Sequence, residues 1–503
     1  MKNTVVAFTL SASLSLCACA TEVDEKPSGA NNAVKGAVTG QEWYKAGADA
    51  VAASKALVIN KNKAKNVILF IGDGMGISTL TAARILEGQV RGEAGEENLL
   101  SFEKFPYTAI VKTYNTDLQV SDSAGTATAM NTGMKTRGGI ISLNPSQPRS
   151  QCAGASDNVV QTLAERLEGE GYATGIVTTT RITHATPASV YAHSAERYWE
   201  NDAKLPAEAV KNGCKDIAAQ FAEFSVGNGI DITLGGGRSY FLPQTEGGAR
   251  KDGRNLIDEW KKGEAKANYV SNKAELDTVT SSNSSRVLGL FNDDHLKFES
   301  DRGDSEPSLT EMTEKAITFL EGKDNGYYLM VEAGRVDHAH HGGNAYRALH
   351  DTVELSAAVR RTMEMVDLNE TLILVTADHS HTFTIGGRSS GFTQRGNPIF
   401  GLVENKEKGI SKDDDGKPYT TLSYSHGGGH IAGERPDLTN EITQAKDYRQ
   451  ETVVPLKSES HGGEDVALFA IGPWSHLVRG TIEQNVIYHY MVNALGLDEK
   501  NSK

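Results

Sequence analysis

A short, unbroken apolar run, Asn66-Val67-Ile68-Leu69-Phe70-Ile71, stops abruptly at Gly72-Asp73-Gly74-Met75-Gly76 and gives way to a helical pattern from Ser78. A run this apolar has no solvent face, so it predicts a strand buried on both sides, then a loop and a helix. Similar runs recur at 172–178, 230–234, 327–332, 371–376 and 465–471, with helical patterns between or after them at 158–170, 308–320, 344–366 and 484–495. Strands alternating with helices imply an α/β fold: a central, largely parallel sheet with helices on both faces. There is no fixed-period repeat of the solenoid kind. At 503 residues and 38% hydrophobic, the chain can bury such a core and still carry an insertion.

Outside that pattern the sequence reads differently. Residues 1–20 form an export signal, with Lys2, an apolar stretch over 5–16 and a small-residue end at Ala18-Cys19-Ala20. The ending allows cleavage after Ala20, or a lipoprotein signal in which Cys19 becomes a lipid anchor. Both predict an exported protein, periplasmic, anchored at the outer membrane, or secreted. No other apolar run approaches the roughly 20 residues of a membrane-spanning helix. Residues 21–63 read as a tether and an N-terminal helix, with 48–57 the most helical part. The core spans 64–381 and 458–503. Between them, 382–457 is Gly-rich, charged and aromatic, too long for a loop, and predicts an inserted subdomain covering the site or a partner subunit. Export leaves Cys152 and Cys214 for the mature chain. In an oxidising compartment they are expected to pair, the alternative being two separate buried thiols.

Acidic and imidazole residues stand where the strands finish: Asp73 after the first, Glu332, Asp337 and His341 around and after the fourth, Asp378 and His379 after the fifth. That edge is where open α/β sheets bind ligands. Six of the 14 histidines fall between His338 and His381; a single one would read as a cap or surface group, but the cluster points to metal. Imidazole mixed with carboxylate suits zinc, all-oxygen sets suit magnesium or calcium, and no cysteine competes, which excludes a Cys-type zinc site. Within Asp337-His338-Ala339-His340-His341, spacing alone leaves the choice among the three histidines open. Asp122-Ser123-Ala124-Gly125 begins a helical run of small residues, which exposes amides and the positive helix end to a phosphate at Ser123; the plainer reading is an N-cap. The formal net charge of −14 excludes a general nucleic-acid binder.

Together, Asp73-Gly74-Met75-Gly76, Asp122-Ser123-Ala124, Thr183-His184-Ala185-Thr186-Pro187, Val331 to His338, Thr376-Ala377-Asp378-His379 and Ser460-His461-Gly462-Gly463-Glu464-Asp465-Val466 resemble the alkaline phosphatases, in the family's order, over about 64–497. The wording is most similar to the vertebrate and marine-bacterial branch. Residue by residue, the resemblance implies one zinc held by Asp337, His341 and His461, a second by Asp73, Asp378 and His379, and a magnesium by Asp73, Thr186 and Glu332. It also implies Ser123 as nucleophile through a phosphoserine, Arg197 as the phosphate-binding arginine, and His184, His338 and Asp122 behind the ligands. Further implications are a Cys152–Cys214 disulfide, a homodimer, a crown-like role for 382–457, broad use of phosphate monoesters and an alkaline optimum. Phe291-Asn292 stands where the vertebrate calcium site has an acidic residue, so no fourth metal is expected.

Two other enzyme readings share this superfamily. A sulfatase needs Cys/Ser-x-Pro-x-Arg, and Ser123-Ala124-Gly125-Thr126-Ala127 lacks both the proline and the arginine. A phosphodiesterase needs room for a second ester group, whereas Arg197 suits a terminal, doubly charged phosphate. A phosphate-binding protein without turnover would have no use for Ser123.

Overall fold

The computed structural model describes residues 39–387, 393–405 and 407–497. The export signal with Cys17 and Cys19, and the first part of the tether, lie outside the described residues. Ten strands form one sheet: β1 (Asn66–Gly72), β2 (Tyr107–Lys112), β3 (Ala173–Arg181), β4 (Ile232–Gly236), β5 (Ala267–Val270), β6 (Arg286–Leu290), β7 (Tyr327–Ala333), β8 (Thr371–Ala377), β9 (Val466–Ile471) and β10 (Gly480–Glu483). Their order is β10-β2-β9-β8-β1-β7-β3-β4-β6-β5. Only β9 runs against its neighbours, β2 and β8; every other pairing is parallel. The largely parallel α/β expectation therefore holds.

The apolar run that begins the pattern lies at the centre: Val67 to Ile71 are completely buried between β7 and β8. The helices that matter for the site are α1 (Gly40–Ala56), α2 (Ile77–Val90), α3 (Ser123–Thr132), α4 (Leu309–Leu320), α5 (Arg335–His341), α6 (Ala345–Met365) and α7 (Val486–Ala494). Local chemistry fixes several of their starts. Ser308 and Glu311 close a capping box on α4, and Asn344 caps α6. The helix expected over 158–170 begins only at Leu163, because Thr162 and Glu165 form a capping box there and residues 155–158 turn as a short 3₁₀ segment. Strands β2, β5, β6 and β10 were not legible as strands: β5 and β10 are four residues long, and β2, between β10 and β9, exposes Thr108 and Ile110 at alternate positions.

Within 382–457 the described strands form small sheets of their own. Phe383–Ile385 pairs with Leu422–Gly427, which pairs with Thr452–Pro455. At the base of this segment Ser380–His381 pairs antiparallel with His461–Gly462. That two-residue clip brings His461 beside the loop after β8. Cys152 and Cys214 are joined in a disulfide with Cα atoms 6.0 Å apart, as expected for the mature cysteines.

Candidate metal and phosphate site

Gly72 of β1 is level with Ala333 of β7 and Ala377 of β8. Asp73, Glu332 and Asp378 therefore arrive side by side at the carboxyl edge of the sheet, all completely buried. Both Asp73 oxygens and Glu332 Oε1 have no hydrogen-bond partner. Burial, then repulsion from Asp378, Asp337 and Glu332, raises Asp73 well above the carboxylate range. Burial also raises Asp378 and pushes Glu332 up to about 7 against the hydroxyls of Thr178 and Thr180. Three crowded carboxyls driven toward their neutral forms are a place that bound positive charge would relieve. The chain reaches it through Gly74, at φ +68°, where a Cβ would fall 2.4 Å from the His381 ring. The Gly74 N–H donates to Asp378 Oδ1 at 3.0 Å.

His379 turns Nε2 to 3.4 Å from Asp73 Oδ1, 3.4 Å from Asp378 Oδ2 and 3.2 Å from Ser123 Oγ. Its Nδ1 faces the Ser380 carbonyl at 3.1 Å, which places the proton there and leaves the Nε2 lone pair toward the cluster. Burial keeps this imidazole neutral, with its pKa down to about 3. Zinc bonds of about 2.0–2.2 Å at tetrahedral angles set ligand atoms about 3.3–3.6 Å apart. The His379 spacings fall in or next to that range.

The second cluster adjoins it, His461 stacking on His379 at 3.6 Å between ring centres. Asp337 and His341 lie four residues apart on α5, so they share one helix face. Asp337 Oδ1 is 3.4 Å from His341 Nε2 and 3.5 Å from His461 Nε2, and the two imidazole nitrogens are 3.2 Å apart. Each ring donates through Nδ1 to a main-chain carbonyl at 2.7 Å, Glu459 for His341 and Ser121 for His461. On the same helix His340 faces away, to Thr79 and Tyr424.

Asp73 also belongs to a third group with His184 and Glu332, whose donor atoms lie within 4.8 Å of one another. Thr186 Oγ1 and His184 Nδ1 are buried without partners. A mainly oxygen set of this kind suits magnesium. His184 stands beside this group, but the Arg197 guanidinium donates to its Nε2 at 3.1 Å, so the neutral ring carries its proton on Nδ1 and has no lone pair left for a metal.

The anion side adjoins the metal clusters through Ser123 and His184. Ser123 is the first residue of α3, and its N-cap Asp122 accepts from the N–H groups of Gly125 at 3.2 Å and Gly139 at 2.7 Å. The other Asp122 oxygen takes Arg197 Nη1 at 2.8 Å, while Arg197 Nη2 lies 3.1 Å from His184 Nε2. Burial opposes the Asp122 charge, but Arg197 holds its pKa below the usual range. His338 sits beside His184, 5.4 Å between ring centres, and is held by Arg335 at 3.0 Å.

Two functional neighbours escaped the sequence reading. His381 is hydrogen-bonded to Asp337 Oδ1 at 2.8 Å through Nε2 and to Glu459 through Nδ1, and these carboxylates overcome burial to hold its pKa up to about 10. Its signal was present, since it repeats His379 two positions on in an extended segment. Glu459 carried no signal; only the clip at His461 brings it in.

The alkaline phosphatase family matches residues 64–497. The chain belongs to that family. It is 45% identical over 452 residues to an alkaline phosphatase of Gadus morhua, covering 87% of this chain and 92% of that one. It is 43% identical over 453 residues to the tissue-nonspecific isozyme of Homo sapiens, covering 87% and 84%. Similar folds are the alkaline phosphatases of the Antarctic bacterium TAB5, at 22% identity and TM-score 0.61 over 87% of this chain and 100% of that one, and of Thermus thermophilus, at 25% and 0.63 over 88% and 93%. As a member of the alkaline phosphatase family the chain is a phosphomonoesterase, and this metal-dependent family accounts for the crowding of unpartnered carboxylates. Among the described residues, no helix is long and apolar enough to cross a membrane.

Proposed function

We propose that this phosphatase hydrolyses phosphate monoesters through a phosphoserine at Ser123, at a site for two zinc ions and one magnesium. The observation that carries the reading is the spacing of His379 Nε2 from Asp73, Asp378 and Ser123, 3.2–3.4 Å. One zinc is held by Asp73, Asp378 and His379, the other by Asp337, His341 and His461, and the magnesium by Asp73, Thr186 and Glu332. When bound, the metals supply positive charge to the attacking and departing oxygens and lower the pKa of a coordinated hydroxyl.

The chain's own residues do the rest. Ser123 Oγ attacks phosphorus, the ester P–O bond breaks, and the alcohol oxygen leaves on the His461 side and takes a proton from water. Arg197 keeps one N–H of each terminal nitrogen free beyond its bonds to Asp122 and His184, and these take two non-bridging phosphate oxygens as a fork. Asp122 fixes that fork and the start of α3 together. Water then cleaves the phosphoserine, releasing inorganic phosphate and restoring Ser123. His184 and His338 support Arg197 and the magnesium ligands.

The remaining parts of the reading follow the same family pattern. The core is 64–381 with 458–503, and 382–457 is a crown-like insertion. The chain is exported, with Cys19 as the site of an optional lipid anchor. It forms a homodimer, supported by α1, which buries none of its residues and leaves Trp43 and Tyr44 50% and 80% exposed.

The test is phosphate release from an aryl phosphate at about pH 9, before and after chelation and with zinc and magnesium restored, together with Ser123→Ala. Activity is expected to vanish on chelation and return with metal, and Ser123→Ala to lose about a thousand-fold or more. Wild-type protein trapped during turnover should carry phosphate on the Ser123 peptide by mass spectrometry. Full activity in Ser123→Ala would overturn the nucleophile.

A further inference from the structure

Tyr198 follows Arg197 directly in the chain and is 61% exposed, although its ring is large and mostly apolar. It is held in place from behind. Its main-chain N–H donates to Glu196 Oε1 at 3.3 Å, and its ring centre lies 5.7 Å from Arg197 Cζ and 5.9 Å from Arg149 Cζ, both within cation–π reach. Arg149 is fixed in turn by two hydrogen bonds of 2.9 Å to Glu196. Its guanidinium occupies the space beside Gly139, at φ +77°, where a Cβ would collide with Arg149 Cζ. Arg197 reaches Asp122, the residue before Ser123, so the exposed Tyr198 ring lies beside the arginine that is proposed to hold phosphate. A second exposed apolar side chain, Val120 at 44%, stands on the His461 side, next to the Ser121 carbonyl that accepts from His461 Nδ1.

We propose that Tyr198 is a specificity-determining residue, which stacks on the planar part of the leaving alcohol. The enzyme then favours monoesters of nucleosides and aryl alcohols over those of small alkyl alcohols, narrowing the broad specificity expected from the family. The inference rests on the placement of phosphate between Ser123 and Arg197 proposed above. A rigid aromatic ring with its outer side in solvent gives a flat group contact area at little entropic cost. Because the stacked alcohol is still attached in the transition state, the preference belongs in kcat/KM.

Adenosine 5′-monophosphate and ethyl phosphate are both esters of primary alcohols and differ in the ribose and the planar base, of which only the base is flat and can stack on a ring. On the full-length, metal-loaded enzyme, the ratio of their kcat/KM values should fall about five-fold in Tyr198→Ala and remain at the wild-type value in Tyr198→Phe, which keeps the ring. An unchanged ratio in Tyr198→Ala, or losses of equal size on both esters, overturns the inference and leaves Tyr198 as packing for Arg197 and Arg149. Hydrolysis of ethyl phosphate by the wild type reads the underlying site separately: a chain that hydrolyses neither ester overturns both readings.

Discussion

Asp73 is asked to serve two of the three ligand groups, and the structure accommodates this by leaving both of its oxygens free of hydrogen bonds in a fully buried position. Elsewhere the same cost is met by protonation. Asp351 on α6 is buried, and burial raises its pKa to about 8, against the help of Arg335 and of the Glu299 N–H at 3.1 Å. The folded state thus keeps this proton between about pH 4 and 8 while the unfolded chain, near 3.8, releases it. The stability this gives is complete below about pH 4, falls as pH rises through that window, and is gone at pH 9. Asp351→Asn, which cannot ionise and can still accept from Glu299, should therefore raise stability by about 1–2 kcal/mol at pH 9 and by less at pH 6. Denaturant unfolding at the two pH values reads this directly; an equal gain at both would show that ionisation is not the cause.

At the scale of elements, helices and strands deliver ligands by different periodicities. On α5 the four-residue step puts Asp337 and His341 on one face, and in the extended segment after β8 the two-residue step puts His379 and His381 on one face, the first at Ser123 and the second at Asp337. The element with no such task is α1. Seventeen residues of helix, capped by Thr39 and Glu42, pack none of their side chains into the core. A helix of that length gains little from propensity alone, and its exposed Trp43, Tyr44 and Val51 call for a partner surface. Removing the chain through residue 56 should convert a dimer into a folded monomer by light scattering coupled to gel filtration. A truncated chain that stays dimeric would assign the interface to other surfaces.

For the whole molecule, the consequence is that folding and metal binding are coupled. The ten-stranded sheet brings Asp73, Glu332, Asp337 and Asp378 into one buried region, and their repulsion is relieved by the ions they are proposed to hold. Ligands that bind only the folded state stabilise it by about 4 kcal/mol at a thousand-fold excess over Kd. Chelation should accordingly lower the calorimetric Tm by several degrees, and zinc with magnesium should restore it. A Tm indifferent to chelation would argue that the clusters hold no metal.

The buried strand at 66–71, the alternation with helices and the polar residues at strand ends are local properties, and they determined the α/β class and the neighbourhood of the site. Periodicity and burial act over a few residues, so a single sequence exposes them. Family resemblance then named Thr186, Arg197 and His461, which no local pattern singled out. What only the tertiary structure decided are relations between distant segments. These are the register that sets Gly72 level with Ala333 and Ala377, the clip between 380–381 and 461–462, the Glu459–His381–Asp337 chain, and the ring of Tyr198 against Arg149. Each is a contact between residues whose own neighbours in sequence carry no trace of it, because pairing across a sheet and packing around a buried charge are fixed only when the whole chain has closed.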